Sequence, residues 1–243
     1  MKTIRDKIIL VTGANRGIGK ALVEEALKRG AKRVYAAARQ PLAHSDGRVK
    51  PLVLDLTNAA QIQAAVEDVG ALDVLINNAG IAIYDDLSNP EVIEKHLAVN
   101  LFGSLNVTRA FLPLLKRSKG AIVNNLSMAS LATLPFIPAY SISKAAAFNM
   151  TQSLRALLAS QGVSVHGVVL GPIDTDMNRG LEIPKASPES AAMGIFDGLE
   201  NGEEDIFPDP ASKSIAEGWR NGAVKSLEHQ FAAFVQQSAP RPD

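Results

Sequence analysis

Short apolar runs rich in β-branched residues alternate along this chain with longer stretches of helical periodicity. Runs that are apolar throughout, with no polar face, predict strands that are buried on both sides. The predicted strands are Ile8–Thr12, Arg33–Ala38, Val49–Asp55, Asp73–Asn77, Ala121–Leu126, Ser164–Leu170 and Asp205–Phe207. The predicted helices are Ile18–Arg29, Asn58–Val69, Asn89–His96, Val99–Arg117, Ala139–Gln161 and Pro188–Asn201. A strand–helix–strand repeat of this kind predicts an α/β fold built on a parallel sheet.

The expected architecture is a Rossmann-like, doubly wound parallel sheet of about seven strands, with helices on both faces in a three-layer αβα arrangement. At 243 residues, the simplest interpretation is a single dinucleotide-binding and catalytic domain over residues 1–243. It would include a substrate loop at about 174–187 and a C-terminal helix at about 210–238, which Gly218 and Gly222 weaken. Pro113 could kink or divide the helix in which it lies.

Composition excludes several classes of function. The 25 acidic residues balance 25 basic ones, so charge makes no case for nucleic acid binding. The chain has no cysteine, which removes disulfides and thiolate chemistry, and its four histidines form no ligand-spaced cluster, so no metal site is expected. The apolar run Ile8–Val11 is too short for a signal peptide, and no stretch approaches the ~20 apolar residues of a membrane span. A cytoplasmic protein without a membrane partner is expected.

Tyr140 and Lys144 stand four residues apart, with Ser127 thirteen residues before the tyrosine. On a helix, positions four apart share one face, so the ammonium would lie one turn from the phenol and lower its pKa. Ser127 could hold a substrate oxygen while the tyrosine exchanges its proton, which suits interconversion of a carbonyl and an alcohol. Tyrosine and lysine at this spacing also occur together by accident.

A glycine-rich turn follows the first predicted strand and opens the first helix, with the sequence Thr12-Gly-Ala-Asn-Arg-Gly-Ile-Gly19. Backbone amides and the helix N-terminus would converge there into an anion site suited to a pyrophosphate. Gly13 would permit the sharp turn, Gly17 a close approach of the cofactor, and Gly19 close helix–sheet packing. By itself, this loop could equally be an ordinary glycine-rich turn after a strand.

Taken together, these motifs resemble those of the short-chain dehydrogenase/reductases, in the single-domain branch of about this length. The motifs are Thr12-Gly-x-x-x-Gly-x-Gly19, Asn77-Asn-Ala-Gly80, Asn100, Ser127 and Tyr140-x-x-x-Lys144. The resemblance covers nearly the whole chain. It implies a nicotinamide dinucleotide cofactor and hydride transfer at a carbon that bears oxygen.

The resemblance also implies roles for the central residues. Tyr140 would be the general acid in reduction and the general base in oxidation, and Lys144 would lower its pKa and hold the nicotinamide ribose. Ser127 would fix the substrate oxygen, with Ser130 as a nearby competitor that its offset from Tyr140 disfavours. Asn100 would support a water-linked proton path.

Further cofactor contacts are implied at matching positions. The glycine loop would contribute Gly13, Asn15, Arg16, Gly17, Ile18 and Gly19. Later contacts would be Asp55, Leu56, Asn77, Ala79, Gly80, Gly171, Ile173 and Thr175, together with Tyr140 and Lys144. Asp55 would meet the adenine ring, although capping of the following helix is an alternative. The segment around Gly171 departs from the family pattern, because Leu170 stands where a proline is usual.

Two arginines favour NADP(H) over NAD(H). The second strand ends without an acidic residue and is followed at once by Arg39. An aspartate near this place would hold the ribose hydroxyl of NAD. Arg16 lies in the glycine loop, where family members that prefer NADP often carry a basic residue. Two guanidiniums could grip one 2′-phosphate, although both could instead be solvated surface arginines.

The residues between Ser127 and Tyr140 are overwhelmingly apolar. Met128, Leu134 and Met177, together with Ser127 and Tyr140, are therefore the predicted substrate contacts, and a hydrophobic ketone or aldehyde is the predicted small-molecule partner. The apolar residues could equally pack the loops onto the body. The short lid between Thr175 and Pro188 suggests an open pocket and broad substrate tolerance.

Three other functions remain open. They are an NAD-dependent alcohol dehydrogenase working oxidatively, a nonenzymatic NADP(H) sensor on the same fold, and a sugar-nucleotide epimerase or dehydratase. The intact reaction centre argues against the sensor, and the lack of a long C-terminal substrate region argues against the epimerase. By resemblance, the helices Val99–Arg117 and Ala139–Gln161 would mediate a homo-oligomer, either a tetramer or a dimer.

Overall fold

A computed structural model of the protein describes residues 3–237 and contains one parallel sheet of seven strands. The strands are β1 (Ile8–Thr12), β2 (Arg33–Ala38), β3 (Val49–Val53), β4 (Val74–Asn77), β5 (Ala121–Asn125), β6 (Ser164–Val168) and β7 (Asp205–Ile206). Their order across the sheet is β3-β2-β1-β4-β5-β6-β7, and every neighbouring pair is parallel. The predicted doubly wound sheet is confirmed.

Helices cover both faces of the sheet. They are α1 (Gly17–Lys28), α2 (Ala59–Val69), α3 (Pro90–His96), α4 (Ser104–Ser118), α5 (Pro138–Leu158), α6 (Pro188–Glu200), α7 (Pro210–Arg220) and α8 (Ala223–Gln237). One apolar core joins the sheet to α1 and α6, and a second joins its other face to α2, α4 and α5. Side chains alternate along each strand, so Ile9 and Val11 enter the first core while Leu10 enters the second. Burial on both faces explains why these strands are apolar throughout.

The stretch from α3 to α4 is one continuous helix with a wider turn in its middle. Leu97–Gly103 form a π-helical segment, so the two separate helices predicted here are joined. Pro113 lies inside α4 without dividing it. The widened turn contains Asn100, and such turns are frequent at functional sites.

By length and composition alone, the helical stretch Pro90–Ser118 could cross a membrane, with a mean hydropathy of 1.2 over its most apolar window. The expectation that no such stretch exists therefore holds only for unbroken apolar runs. Core helices of soluble proteins pass the same test, and this stretch packs against α2 and α5.

The predicted C-terminal helix is two helices. Helix α7 begins at an Asp209 cap, where the carboxylate accepts a hydrogen bond from the Ser212 amide, and it ends at Arg220. Gly222, which was predicted to weaken the helix, separates α7 from α8. Ser238, the predicted end of the helix, and the proline-rich residues after it lie outside the described residues.

The carboxyl ends of β1 and β4 lie side by side although helices and two strands separate them in sequence. The chain reverses its direction of travel across the sheet between these strands. Open α/β sheets bind ligands in the crevice formed at such a point. The glycine loop follows β1 and the Asn-Asn-Ala-Gly turn follows β4, so both border this crevice.

Candidate active site

The glycine loop depends on glycine at three positions. Gly13 and Gly17 have φ angles of +65° and +52°, a region that side-chain-bearing residues rarely adopt. A Cβ on Gly13 would lie 2.9 Å from the Cα of Ala79, and one on Gly17 would lie 3.1 Å from the Thr175 methyl. A Cβ on Gly19 would lie 2.0 Å from the carbonyl oxygen of Gly13. Gly19 therefore lets α1 pack closely against the residues that directly follow β1 and β4, since its Cβ would also lie 2.6 Å from the Asn78 side chain.

Thr12 and Asn78 fasten the glycine loop to the turn after β4. The Thr12 hydroxyl accepts hydrogen bonds from the amides of Asn78 and Ala79, each at 3.0 Å. The Asn78 amide group donates to the carbonyls of Thr12 and Gly13, at 2.8 and 3.2 Å. Sequence reasoning gave neither side chain a role. Their polarity at buried or half-buried strand ends was the available signal.

The Asn77 side chain turns away from the crevice. It is buried and donates to Thr108 on α4 at 2.9 Å and to Asn124 on β5 at 2.8 Å. Asn77 and Asn124 are direct partners in the β4–β5 register, and Asn124 in turn donates to Thr151 on α5. This polar ladder ties α4 and α5 to the sheet. Among the described residues the side-chain oxygen of Asn77 is buried without a hydrogen-bond partner, and the nitrogen is used by this ladder.

Tyr140 lies in the first turn of α5 with its side chain largely buried. Burial raises the pKa of the phenol above 10, while hydrogen bonding with Ser127 opposes the rise. The prediction that Lys144 lowers the pKa of this phenol is therefore not met here. The reason is that removal from water, which disfavours the phenolate, outweighs every favourable neighbour.

Lys144 lies one turn further along α5 and is also buried. Its ammonium is 5.7 Å from the centroid of the Tyr140 ring and donates a 2.7 Å hydrogen bond to the carbonyl of Asn125. Burial lowers the pKa of this ammonium from 10.5 to about 8. The predicted sharing of one helix face is correct, but the lysine is held by the end of β5.

Ser127 and Ser130 make different contacts in the turn after β5. The Ser130 hydroxyl accepts from the amide of Ser127 at 3.2 Å, which forms one half of a capping box. The Ser127 hydroxyl accepts from the Ala129 amide at 3.1 Å and lies against the Tyr140 phenol. The choice of Ser127 over Ser130 agrees with this geometry.

Asn100 holds the segment that follows the Asn-Ala-Gly turn. Its side-chain oxygen accepts from the amide of Ile81 at 2.9 Å, and its side-chain nitrogen donates to the carbonyl of Ile81 at 3.0 Å. The same nitrogen lies 2.9 Å from the hydroxyl of Ser143. A Cβ on Gly80 would lie 3.1 Å from the Asn100 oxygen and 3.7 Å from the Lys144 nitrogen. Gly80 thus lets the turn pass close to both groups.

A chain of hydrogen bonds joins the glycine loop to Lys144. The Gly13 carbonyl accepts from Asn78, the Asn78 oxygen accepts from the Asn125 side chain at 2.9 Å, and the Asn125 carbonyl accepts from Lys144. Asn125 was not among the predicted site residues. Among the described residues its side-chain oxygen is buried without a hydrogen-bond partner, so it keeps an unused acceptor beside the crevice.

The residues predicted to hold the adenosine end differ in their exposure and in their hydrogen bonding. Arg39 is exposed at the end of β2, and its charge helps to lower the pKa of Asp55, although hydrogen bonds from Thr57 do more. Asp55 accepts from the Thr57 amide and hydroxyl at 2.8 and 2.7 Å, whereas Asn58 caps α2, so the alternative role of Asp55 as the cap of that helix is wrong. The Leu56 side chain is buried where a Cβ on Gly103 would touch it, which leaves its backbone for a cofactor contact.

Arg16 is exposed and lies in the glycine loop as predicted. Its guanidinium is 3.1 Å from the carboxylate of Asp176, in the loop after β6. Asp176 also pairs with Arg179. Because both sides of the Arg16–Asp176 pair are well solvated, the pair is weak and Arg16 can change partners. Asn15 and Ile18 lie between the three glycines, in the loop and in the first turn of α1.

A residue from the C-terminal part of the chain, Asp209, holds the segment after β6. The Gly171 amide donates to the buried carboxylate of Asp209 at 2.8 Å, and a Cβ on Gly171 would lie 2.4 Å from that carboxylate. Ile173 is buried and forms an isolated bridge with Ala186. Thr175 packs against Gly17 and so reaches the glycine loop. Sequence reasoning missed Asp209, which lies beyond the family motifs.

The predicted substrate contacts lie in two loops, one between Ser127 and Tyr140 and one after β6. Leu134 and Met177 are 37% and 48% exposed, whereas Met128 packs on Val169 and Phe207. Tyr84 adds to this apolar surface, and its ring lies 6.1 Å from that of Phe136. Further exposed apolar side chains in the same loops are Ile83, Leu87 and Ile183.

Two more side chains hold the segment in front of Tyr140. His96 is fully buried with its ring 6.3 Å from that of Tyr140, and it accepts from the Ile83 amide at 3.1 Å. Asp85 accepts from the Ala139 amide at 3.2 Å and so caps the N-terminus of α5 from a distant loop. Since both contacts join elements far apart in sequence, no local pattern indicated them.

A cavity of about 470 Å³ opens beside the glycine loop, along α1 and at the start of α6. Gly17, Lys20, Thr175 and Glu189 are among its lining residues, and it does not include Ser127 or Tyr140. In the described part of the chain, no three His, Cys, Asp or Glu side chains are close enough to hold a metal ion.

Comparison with known proteins agrees with this geometry. A family model described as short chain dehydrogenase matches residues 7–185. A 2-(S)-hydroxypropyl-CoM dehydrogenase of Xanthobacter autotrophicus is 33% identical over 208 residues, which are 79% of this chain and 82% of the relative.

Two solved structures are also similar. A short chain dehydrogenase from Burkholderia cenocepacia, in complex with NADP, is 37% identical with a TM-score of 0.86, over 94% of this chain and 98% of that one. An NADPH-bound carbonyl reductase from chicken fatty liver is 27% identical with a TM-score of 0.77, over 84% of this chain and 100% of that one.

Proposed function

The chain belongs to the short-chain dehydrogenase/reductase family, and we propose that it is an NADPH-dependent carbonyl reductase. As a member of this family it is an oxidoreductase that acts on CH–OH groups. Within that class, the proposal is that it interconverts a hydrophobic ketone or aldehyde and the corresponding alcohol.

One observation carries the proposal. A buried phenol on α5, Tyr140, lies against the Ser127 hydroxyl, with the Lys144 ammonium 5.7 Å from its ring. These groups lie at the carboxyl end of β5, next to the crevice that the glycine loop borders. An acid and an oxygen-binding hydroxyl beside a dinucleotide loop are the groups that a carbonyl reduction needs.

The crevice suits a dinucleotide. Gly13 and Gly17 leave a cradle without side chains where the backbone turns into the N-terminus of α1, which favours an anionic pyrophosphate. We assign Asn15 and Ile18 to the same end, and the Ala79–Gly80 turn to the adenosine half. Thr175, which touches Gly17, would reach the nicotinamide end together with Ile173 and Gly171. When bound, the nicotinamide supplies or accepts the hydride.

The residues around the crevice have complementary tasks in this mechanism. Ser127 holds the carbonyl oxygen of the substrate while Tyr140 donates its proton to that oxygen, and in oxidation Tyr140 accepts it. The phenol is protonated at neutral pH, as a proton donor must be, although its raised pKa by itself makes it a weaker acid. Lys144 orients the nicotinamide ribose. Asn100, Gly80 and Lys144 lie close together, which supports the proposed path for proton resupply.

The preference for NADPH rests on two exposed arginines. Arg39 follows β2 directly, and within residues 3–237 Arg16 pairs with the solvated Asp176. Both are available to a 2′-phosphate, which an acidic side chain at the end of β2 would repel. The similar proteins from Burkholderia cenocepacia and chicken were solved with NADP and NADPH, which supports the same choice.

A hydrophobic substrate is the best match for the surface near Tyr140. Leu134, Phe136, Tyr84 and Met177 are all partly exposed in the loops that follow β4, β5 and β6, and an apolar substrate would remove them from water. The name of the chicken relative, a carbonyl reductase, is consistent with this class.

The proposal is tested by NADPH oxidation with a panel of aliphatic and aryl ketones and aldehydes. Tyr140→Phe should reduce turnover by about 10²–10⁴-fold, the usual contribution of a positioned general acid. Its affinity for NADPH, measured by fluorescence titration, should remain that of the parent because the ring is retained.

Tyr35→Phe is the matched control. Tyr35 is a buried tyrosine on β2 whose hydroxyl donates to the carbonyl of Val69 at 3.4 Å. Its loss should leave turnover within about twofold of the parent, as expected for a group outside the reaction. Equal turnover of Tyr140→Phe and the parent would contradict the mechanism. Equal catalytic efficiency of the parent with NADH and NADPH would contradict the cofactor preference.

A further inference from the structure

The pairing of β6 with β7 continues beyond the ends of both strands. Within the sheet, Gly167 pairs with Asp205 in a parallel register. The same offset along the chain places Gly171 opposite Asp209, and the Asp209 carboxylate accepts a 2.8 Å hydrogen bond from the Gly171 amide. The chain that leaves β6 for the crevice is therefore still held by the chain that leaves β7.

Asp209 is itself fixed at the N-terminus of α7. It is 1% exposed and forms a capping box with Ser212. One carboxylate oxygen accepts from the Ser212 amide at 3.0 Å, and the other accepts from the Ser212 hydroxyl at 2.8 Å and from the Gly171 amide. A buried carboxylate is costly unless its oxygens are satisfied, so these hydrogen bonds hold it at one place relative to α7.

The first turn of α7 closes over the backbone of Gly171 and leaves no room for a side chain. A Cβ on Gly171 would lie 2.4 Å from the Asp209 carboxylate and 2.9 Å from the Ala211 side chain. Glycine also has the greatest backbone freedom of any residue, so the segment after β6 has little stiffness of its own at this point. The hydrogen bond from Gly171 to Asp209 supplies the missing restriction.

We propose that Asp209 is a positioning residue for the nicotinamide end of the crevice. It acts through Gly171, which sets the path of the backbone to Ile173 and Thr175, and Thr175 in turn packs against the glycine loop. The inference rests on the proposed function, in which these three residues meet the nicotinamide end. Asp209 lies outside residues 7–185, which the family model matches, so this task falls to a part of the chain beyond the family motifs.

The adenosine half of the crevice does not depend on this contact. Arg39 follows β2, which lies next to one edge of the sheet, whereas β7 forms the other edge. Within residues 3–237, the hydrogen bonds of the Asp209 side chain go to Gly171 and Ser212 alone. Loss of the carboxylate should therefore weaken the hold on the nicotinamide half of the cofactor and spare the hold on the adenosine half.

Asp209→Ser in the full chain separates the two tasks of the carboxylate. Serine is also a good N-cap, so α7 keeps its start, but the shorter side chain does not reach Gly171. The Kd for NADPH, from fluorescence titration, should rise about tenfold, as for a lost hydrogen bond to a charged group. The Kd for adenosine 2′,5′-bisphosphate, which carries the adenosine half without the nicotinamide, should remain that of the parent in calorimetric titration.

Ser212→Ala is the matched control. It removes one half of the same capping box and leaves the Asp209 carboxylate on the Gly171 amide. Like Asp209→Ser, it should unfold at a lower urea concentration than the parent. Its Kd for NADPH should nevertheless stay parental, which separates loss of stability from loss of position.

Asp209→Thr serves the same comparison if Asp209→Ser does not fold, because threonine also caps helices and its methyl group fills part of the space left by the carboxylate. A parental Kd for NADPH in the Asp209 variant would overturn the inference. So would equal weakening of both ligands, or an NADPH Kd raised equally in Ser212→Ala, since either result would assign Asp209 a purely structural role. A parent that binds neither ligand would overturn the proposed function, and this inference with it.

Discussion

The ammonium of Lys144 and the phenol of Tyr140 are both withdrawn from water, and both pKa values move against the charged form. The pKa of the lysine, about 8, lies close to neutral pH, so its ammonium is near the point at which it loses its proton. Its 2.7 Å hydrogen bond to the Asn125 carbonyl keeps the amine in place whether or not it is protonated. A cation near its titration point beside an acid is the arrangement that tunes proton transfer.

The burial of Lys144 should be visible as a dependence of stability on pH. Its pKa is 10.5 in an unfolded chain and about 8 in the fold. Between these values the unfolded chain binds more protons, so this residue makes stability rise with pH, and its penalty is complete below pH 8. The stability of Lys144→Met relative to the parent should therefore fall by on the order of 3 kcal/mol from pH 8 to 10.5. Urea unfolding at a series of pH values measures it.

Lys225 is the matched control. Burial and the Arg155 charge act to lower the pKa of this lysine, but contacts with Asp205 and Glu204 outweigh them and raise it above 10.5. The stability it contributes is complete below pH 10.5 and is lost only above that value. Lys225→Met should therefore be less stable than the parent by an amount that does not change from pH 7 to 10. The same pH dependence in both variants would contradict the assigned environments.

The backbone at the start of α1 passes very close to the backbone of the glycine loop. The Gly13 carbonyl accepts from Asn78 and lies where a side chain on Gly19 would be. This contact sets the angle at which α1 leaves the sheet, and with it the direction of the amides that would face a pyrophosphate.

Gly19→Ala tests the element. The new Cβ would lie 2.0 Å from the backbone oxygen of Gly13, so the loop must shift and the variant should lose about 1–3 kcal/mol of stability. The affinity for NADPH should fall with it. Gly47→Ala, where no atom lies within 4 Å of the new Cβ, should stay within about 0.5 kcal/mol of the parent. Thermal unfolding and cofactor titration give both quantities, and equal behaviour of the two variants would contradict the assigned packing.

At the scale of the whole molecule, a buried ion cluster ties the C-terminal helices to the sheet edge. Asp205 on β7 contacts Arg155 of α5 at 2.7 Å and Lys225 of α8 at 2.9 Å. Asp209, a few residues later, binds the Gly171 segment that borders the crevice. The C-terminal part of the chain therefore supports the candidate site from outside the family motifs.

Asp205→Asn should destabilise the protein by about 3–5 kcal/mol, because it leaves the Arg155 and Lys225 charges buried without full compensation. Urea unfolding measures the loss. Glu203→Gln is the control, since Glu203 pairs with the half-exposed Arg220, and it should change stability by less than about 1 kcal/mol. A cost for Asp205→Asn as small as that of the control would show that the cluster is not a structural anchor.

Local patterns in the sequence determined the order and type of the elements. The seven strands, the glycine turn and the face shared by Tyr140 and Lys144 follow from the spacing of apolar residues, breakers and motif residues, which neighbours in sequence decide. Tertiary structure alone decided what each side chain meets. It turned Asn77 into the core and linked Gly13 to Lys144 through Asn78 and Asn125. It also tied α8 to the sheet edge through Lys225 and Asp205, because hydrogen bonds, burial and ion pairs between distant segments depend on the packing of the whole chain.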